Sequence, residues 1–72
     1  MKMLEELHSI RAKHEREGYE VSRIVLPQED FSHLQQNSNL PYYDGSLLMD
    51  GTMVSAGNVD DVKVETEGLM SF

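Results

Sequence analysis

Between Tyr19 and Val54 the chain is punctuated so often that only short strands and short helices fit. The run reads YEVSRIVLPQEDFSHLQQNSNLPYYDGSLLMDGTMV. Proline removes a backbone donor and breaks both helices and ladders. Asp-Gly pairs supply the positive φ values that tight two-residue turns require. Small elements must therefore enclose a small core. A chain of 72 residues is one domain, and a domain of this size buries a modest fraction of its surface. Small cores are commonly supplemented by disulfides, metals or oligomerisation. The chain has no cysteine, which removes disulfides and thiolate metal sites and leaves a well-packed monomer or an oligomer, of which the oligomer is the expected one.

Before this run, residues 3–17 predict one amphipathic helix. Met3, Leu7, Ile10 and His14 recur at helical spacing, with Leu4 beside them, and at 100° per residue they share a face. Glu5 and Glu6 suit the positive end of the helix dipole, and Arg11, Lys13 and Arg16 lie further on. Lys2–Glu6, Arg11–Glu15 and Lys13–Glu17 stand four apart, each pair worth about 0.2–0.5 kcal/mol. Gly18 suits a left-handed stop. The stripe is narrow, fit either to lie on a sheet or to pair with a copy of itself. His14 within it reads as half-buried or at an interface.

Residues 19–26 read as a strand rich in β-branched side chains, ended by Pro27. Its continuous run Ile24-Val25-Leu26 suits an interior strand. Residues 28–36 read as a short helix docked by Phe31 and Leu34, with Glu29 and Asp30 in its first turn and a solvated His33. Residues 37–46 read as a loop. It carries Leu40, Tyr42 and Tyr43, and the tyrosines are expected either to lid the core or to form a binding patch. Residues 47–49 and 52–54 flank Asp50-Gly51 as a hairpin. Residues 62–66 alternate, with Val62, Val64 and Thr66 on one side and Lys63 and Glu65 on the other, as a half-exposed edge strand does. The expected fold is α+β, a small single domain of order α-β-α-β-β-β, with a mostly antiparallel sheet and helices packed on one face. Its parts are an N-terminal helix over 1–18, an α/β core over 19–66 and a tail over 67–72, where Leu69, Met70 and Phe72 dock on the core or on a neighbour.

The formal charge is −7, from 13 acids against 6 bases. Five bases meet seven acids in residues 1–36, whereas residues 37–72 hold only Lys63 against six acids. So few cations argue against direct nucleic-acid binding. No stretch has the length and apolarity of a membrane span, and Glu5 and Glu6 interrupt any signal-peptide core. The expected location is the cytoplasm, or the host cytoplasm for a viral chain.

The familiar chemistries lack their residues. His8, His14 and His33 do not have zinc-ligand spacing. The acids at Asp44 and Asp50 do not alternate as a calcium loop requires. No glycine-rich phosphate loop is present, and nothing marks a nucleophilic triad. Neither enzymatic activity nor a cofactor is expected. The readings that remain are interactions. An acidic face of Asp44, Asp50, Asp60, Asp61, Glu65 and Glu67 would meet a basic protein partner, with the Tyr42–Tyr43 loop as a second contact. Alternatively, a homo-oligomeric building block would assemble through Leu4, Leu7, Ile10, His14, Leu69 and Phe72. A third reading is a small-ligand cleft lined by Tyr42, Tyr43 and His14.

The order RIVLPQEDFSHL followed by PYYDGSLLMDGTMV resembles segments of tailed-bacteriophage proteins, in peripheral regions of capsid subunits and in small accessory proteins. It covers residues 23–56. The resemblance implies a phage-encoded accessory protein, either a virion component or a protein that binds and blocks a host factor. It assigns no functional residue.

Overall fold

The computed structural model describes residues 2–69. Helix α1 spans Lys2–Arg16 and strand β1 spans Tyr19–Pro27. Helix α2 follows over Gln28–Asn37. Strands β2 (Tyr42–Tyr43), β3 (Ser46–Met49), β4 (Thr52–Gly57) and β5 (Lys63–Leu69) complete the chain. The fold is α+β, a five-stranded mixed sheet of order β2-β3-β4-β1-β5 with both helices on one face.

α1 stops where glycine permits it. The Glu17 amide donates back to the Lys13 and His14 carbonyls, and Gly18, at φ +93°, donates to Glu15. This is the expected left-handed exit. The chain then reverses into β1. Of the narrow stripe, only Leu7 is fully buried, at 1% exposure. Met3 and Leu4 rest against the core from its margin, and Ile10 and His14 are half-buried. The stripe therefore lies on the sheet.

β1 is the interior strand that its apolar run predicts, with β4 on one side and β5 on the other. Its alternation is imperfect because the register to β5 shifts between Val21 and Arg23. The irregularity puts Val21, Ile24 and Leu26 in the same core although they are unevenly spaced. Thr52 answers the disturbed ladder there. Its hydroxyl, fully buried, donates to the Val21 carbonyl at 3.2 Å.

Two features add to the sequence expectation. Tyr42–Tyr43 is a strand, an addition to the expected order. It pairs with β3 as Tyr42↔Leu47 and Tyr43↔Ser46, and the Leu48 amide extends the ladder by donating to the Pro41 carbonyl at 2.9 Å. Two residues are too few to leave a periodic trace. The other is the parallel pairing of β1 with β4; the remaining three pairings are antiparallel, so the sheet is mostly antiparallel, as expected. α2 carries the chain back along the sheet, and two tight turns then leave β4 running with β1. Both turns have positive φ at both central positions, Asp44 and Gly45, then Asp50 and Gly51, which is the type I′ signature.

β5 is the edge strand expected, with Val62 and Val64 against the core and Lys63 and Glu65 exposed. It runs to Leu69, past the expected end at residue 66 and into the segment read as a tail. Met70 and Phe72 lie outside the described residues. The core comprises Leu7, Val21, Ile24, Leu26, Phe31, Leu34, Leu47, Met49 and Val54. Among the described residues, no helix is long and apolar enough to cross a membrane.

Candidate interaction surface

Side chains alternate across a sheet, so the core face fixes the other one. Ile24 stands opposite Val54 and Val64, Leu26 opposite Ala56, Leu47 opposite Val54 and Met49 opposite Thr52. These residues face the helices. The residues between them face away: Arg23 and Val25 of β1, Leu48 of β3, Met53 and Ser55 of β4, and Lys63 and Glu65 of β5. Their register is continuous, with Leu48↔Met53, Met53↔Arg23, Arg23↔Glu65, Ser55↔Val25 and Val25↔Lys63. Neither helix covers this face.

Its middle is low and its flanks are high. Ser46 and Ser55 share a hydrogen bond at 2.6 Å between their hydroxyls, and Ser46 is buried. Next to Ser55, Gly57 has no side chain, and a Cβ there would stand 2.5 Å from Val25 Cγ1. Val25 therefore leans over the glycine. Around this small-residue centre stand Leu48, 36% exposed, half-buried Met53 and Val25, and Tyr43, 70% exposed. Leu48 and Met53 stand opposite each other in register, and Val25, opposite Ser55, lies on the diagonal from Met53, so the three share one face and are not scattered singly. The sequence carried its signal. The hairpin LLM–DG–TMV is apolar at consecutive positions, which in a strand means apolar on both faces.

The tyrosines straddle the sheet edge. Tyr42 opposes Leu47 on the helix side and Tyr43 opposes Ser46 on the open side, and both are mostly exposed, at 60% and 70%. They do not lid the core. Leu40 from the same segment packs against it instead. The expected cleft of Tyr42, Tyr43 and His14 has no common wall, because α1 packs on β1 and β2 lies three places from β1 in the strand order. His14 instead bonds its own helix, with Nδ1 at 2.9 Å from the Ile10 carbonyl.

The six acids do not form one face. Pro27 pairs with Gly57, and the Asp44-Gly45 turn and the loop of Asp60 and Asp61 lie at that end of the sheet. Glu29 and Asp30, in the first turn of α2 after Pro27, join them there. Asp50 is at the opposite end, beside His8 Nδ1 at 3.7 Å and Arg11 at 4.0 Å. Glu65 and Glu67 run along β5 at the edge. Two antiparallel turns separate residues that sequence proximity groups together.

For self-association, Leu7 lies wholly within the core and has no surface to give a second chain. Leu4 is partly spent on the same core. Ile10 opens onto a depression of about 580 Å³ that is lined also by Lys2, Glu5, Glu6 and Ser9. The β5 backbone at Leu69 pairs with Tyr19, and Phe72 lies outside the described residues. Among the described residues, no three metal-ligating side chains converge.

No protein-family model, curated protein or solved structure matches this chain.

Proposed function

We propose that this is a protein-interaction module whose working surface is the open face of its sheet. The observation that carries the reading is the one-sided cover. Both helices share a core with Ile24 and Leu26, while Val25, Leu48 and Met53 on the other face lie outside that core and are half-buried or exposed. Contiguous apolar patches rimmed by polar groups mark interaction surfaces more often than scattered apolar residues do. Tyr43 at the rim adds a large ring with a polar tip, a residue type favoured at interface hot spots. A photo-crosslinking amino acid at position 53 tests this in cells that express the chain. Position 12, exposed on α1, is the control. Protein adducts should form from position 53 and not from position 12. Equal yields from the two positions, or none from position 53, would sink the reading.

A second reading has its own observation, the gathering of Asp44, Asp60 and Asp61 with Glu29 and Asp30 at one end of the sheet. In it, the chain is a phage-encoded cytoplasmic protein whose acidic end covers a basic surface of a host protein. Its attraction weakens as salt screens it. Substituting Asp60→Lys with Asp61→Lys should lower the affinity for such a partner and flatten its salt dependence. Binding and salt slope unchanged in that variant would remove the acidic end from the interface.

A further inference from the structure

We infer that the occupant of the open face is a second copy of this chain, packed face to face about a twofold axis. The inference rests on the open face being the interaction surface, and it specifies the partner.

Charge favours this occupant first. The regular part of the face, from Arg23 on β1 and up to Glu65 on β5, carries Arg23 and Lys63 against Glu65. Two cations and one anion stand there, on a chain of charge −7. Glu20, next to buried Val21, and Glu67, two places from Glu65, alternate onto the same side beyond the register shift. Over its strands the face thus carries two cations against three anions, so most of the acid excess lies elsewhere, and this is the side on which two acidic copies approach with the least acid meeting acid. Both signs also lie in one strip, on adjacent strands. A twofold contact applies every pairing twice, residue i to j and j to i. The strip can therefore satisfy itself, with the cations of each copy facing Glu65 of the other.

Shape and size agree. The Ser46 and Ser55 hydroxyls already bond each other, so covering the centre does not strand either without a partner. Methionine at position 53 adapts its shape to an opposing surface. A standard interface takes about 800 Å² from each partner, roughly a sixth of this chain's 4951 Å². That is one full side of a small domain, so the charged strip on β1 and β5 must join the apolar patch on β3 and β4.

Light scattering across a concentration series, at low and high salt, tests the pairing. The wild-type mass should rise from 8.2 kDa to twice that value. High salt screens the contacts of Arg23 and Lys63 with Glu65 while it relieves repulsion between the acidic remainders, so the dimer should persist there with little change in affinity. A basic partner held by the acidic end would instead be released as salt rises. Met53→Asp should weaken the dimer by about thirtyfold or more, as loss of a central anchor does, while Ala12→Asp leaves it unchanged. Should Met53→Asp fail to fold by circular dichroism, the absence of native cysteine provides another route. Met53→Cys should cross-link to its twin through a short bis-maleimide, and Ala12→Cys should not. A wild-type monomer at every concentration overturns the inference, as does a dimer that folded Met53→Asp leaves intact or that Ala12→Asp also disrupts. If the chain stays monomeric while position 53 cross-links to a different protein, the second copy is rejected and the open-face reading stands. If position 53 cross-links to nothing, both fall.

Discussion

The two faces of the sheet are made from alternate residues of the same strands, yet they differ in what they pack against. On the helix side, Ile24, Leu26, Leu47, Met49 and Val54 are essentially inaccessible, held under Leu7, Phe31 and Leu34. On the other side, Val25, Leu48 and Met53 occupy the intervening positions, and they are half-buried or exposed. The strands do not show which face will be core, because Leu47 and Leu48 are the same residue type. The helices decide it. α1 and α2 each bring a narrow apolar stripe, and both stripes are spent on one side. The apolar residues left over on the other side need an explanation from function.

The sharpest way to break the comparison is to truncate the neighbouring leucines. Leu47→Ala should destabilise the fold by about 2–5 kcal/mol, the range for emptying a closed core site. Leu48→Ala should cost under about 1 kcal/mol in dilute solution, because the side chain is already in contact with water. Urea unfolding of both variants measures the difference. Repeated at high protein concentration, the Leu48→Ala cost should grow if a second chain covers that face, since an associating native state is stabilised by mass action. Equal costs for the two leucines would show that the faces are not energetically distinct.

The hydroxyls sharpen the same contrast. Thr52 on the core side donates to the Val21 carbonyl at a point where the ladder is irregular. Thr52→Val keeps the shape and removes the donor, leaving a buried carbonyl short of its bond, at a cost of about 1–3 kcal/mol. Ser55→Ala on the open side removes one hydroxyl of a part-buried neutral pair, with Ser55 itself only half-buried, and should cost less, about 0.5–1.5 kcal/mol. Thermal unfolding in dilute solution ranks the pair, and the reverse order would contradict the assignment of the faces.

The elements that were legible in the sequence each carried a local signal. Helical spacing marked α1, Phe31 and Leu34 marked α2, and Asp50-Gly51 marked the hairpin of β3 and β4. Alternation at Val62 and Val64 marked the edge strand β5. What escaped was either very short or non-local. The two residues of β2 are fewer than one period of any pattern. The parallel pairing of β1 with β4 joins residues such as Ile24 and Val54, and it depends on how α2 returns the chain. The surface was half legible. Tyr42 and Tyr43 are exposed at the sheet edge, as one of their two expected roles requires. The acids are spread over both ends and one edge because the sheet, and not sequence proximity, sets their positions. Leu48 and Met53 were assigned to the hairpin, but which side they face follows only from the packing of the helices.

The smallest expected effect bears most directly on the open face. Gly57 ends β4 opposite Pro27, and a Cβ added there would come within 2.5 Å of Val25 Cγ1. The obstacle is the end of a side chain, so Gly57→Ala can be accommodated by displacing Val25. Valine is stiff about χ1, and moving it off its rotamer costs about 0.5–1.5 kcal/mol. The gain from restricting glycine in the unfolded chain, about 0.4–1 kcal/mol, offsets part of that. The net change in monomer stability should therefore stay within about 1 kcal/mol. Val25 lies on the open face, so its displacement changes the shape of that face. Gly57→Ala should therefore leave the melting temperature in dilute solution nearly unchanged while weakening any assembly through that face. Light scattering and thermal unfolding on the same samples separate the two effects. A variant that loses stability and keeps its assembly would place the strain in the core and free the open face of any role at position 57.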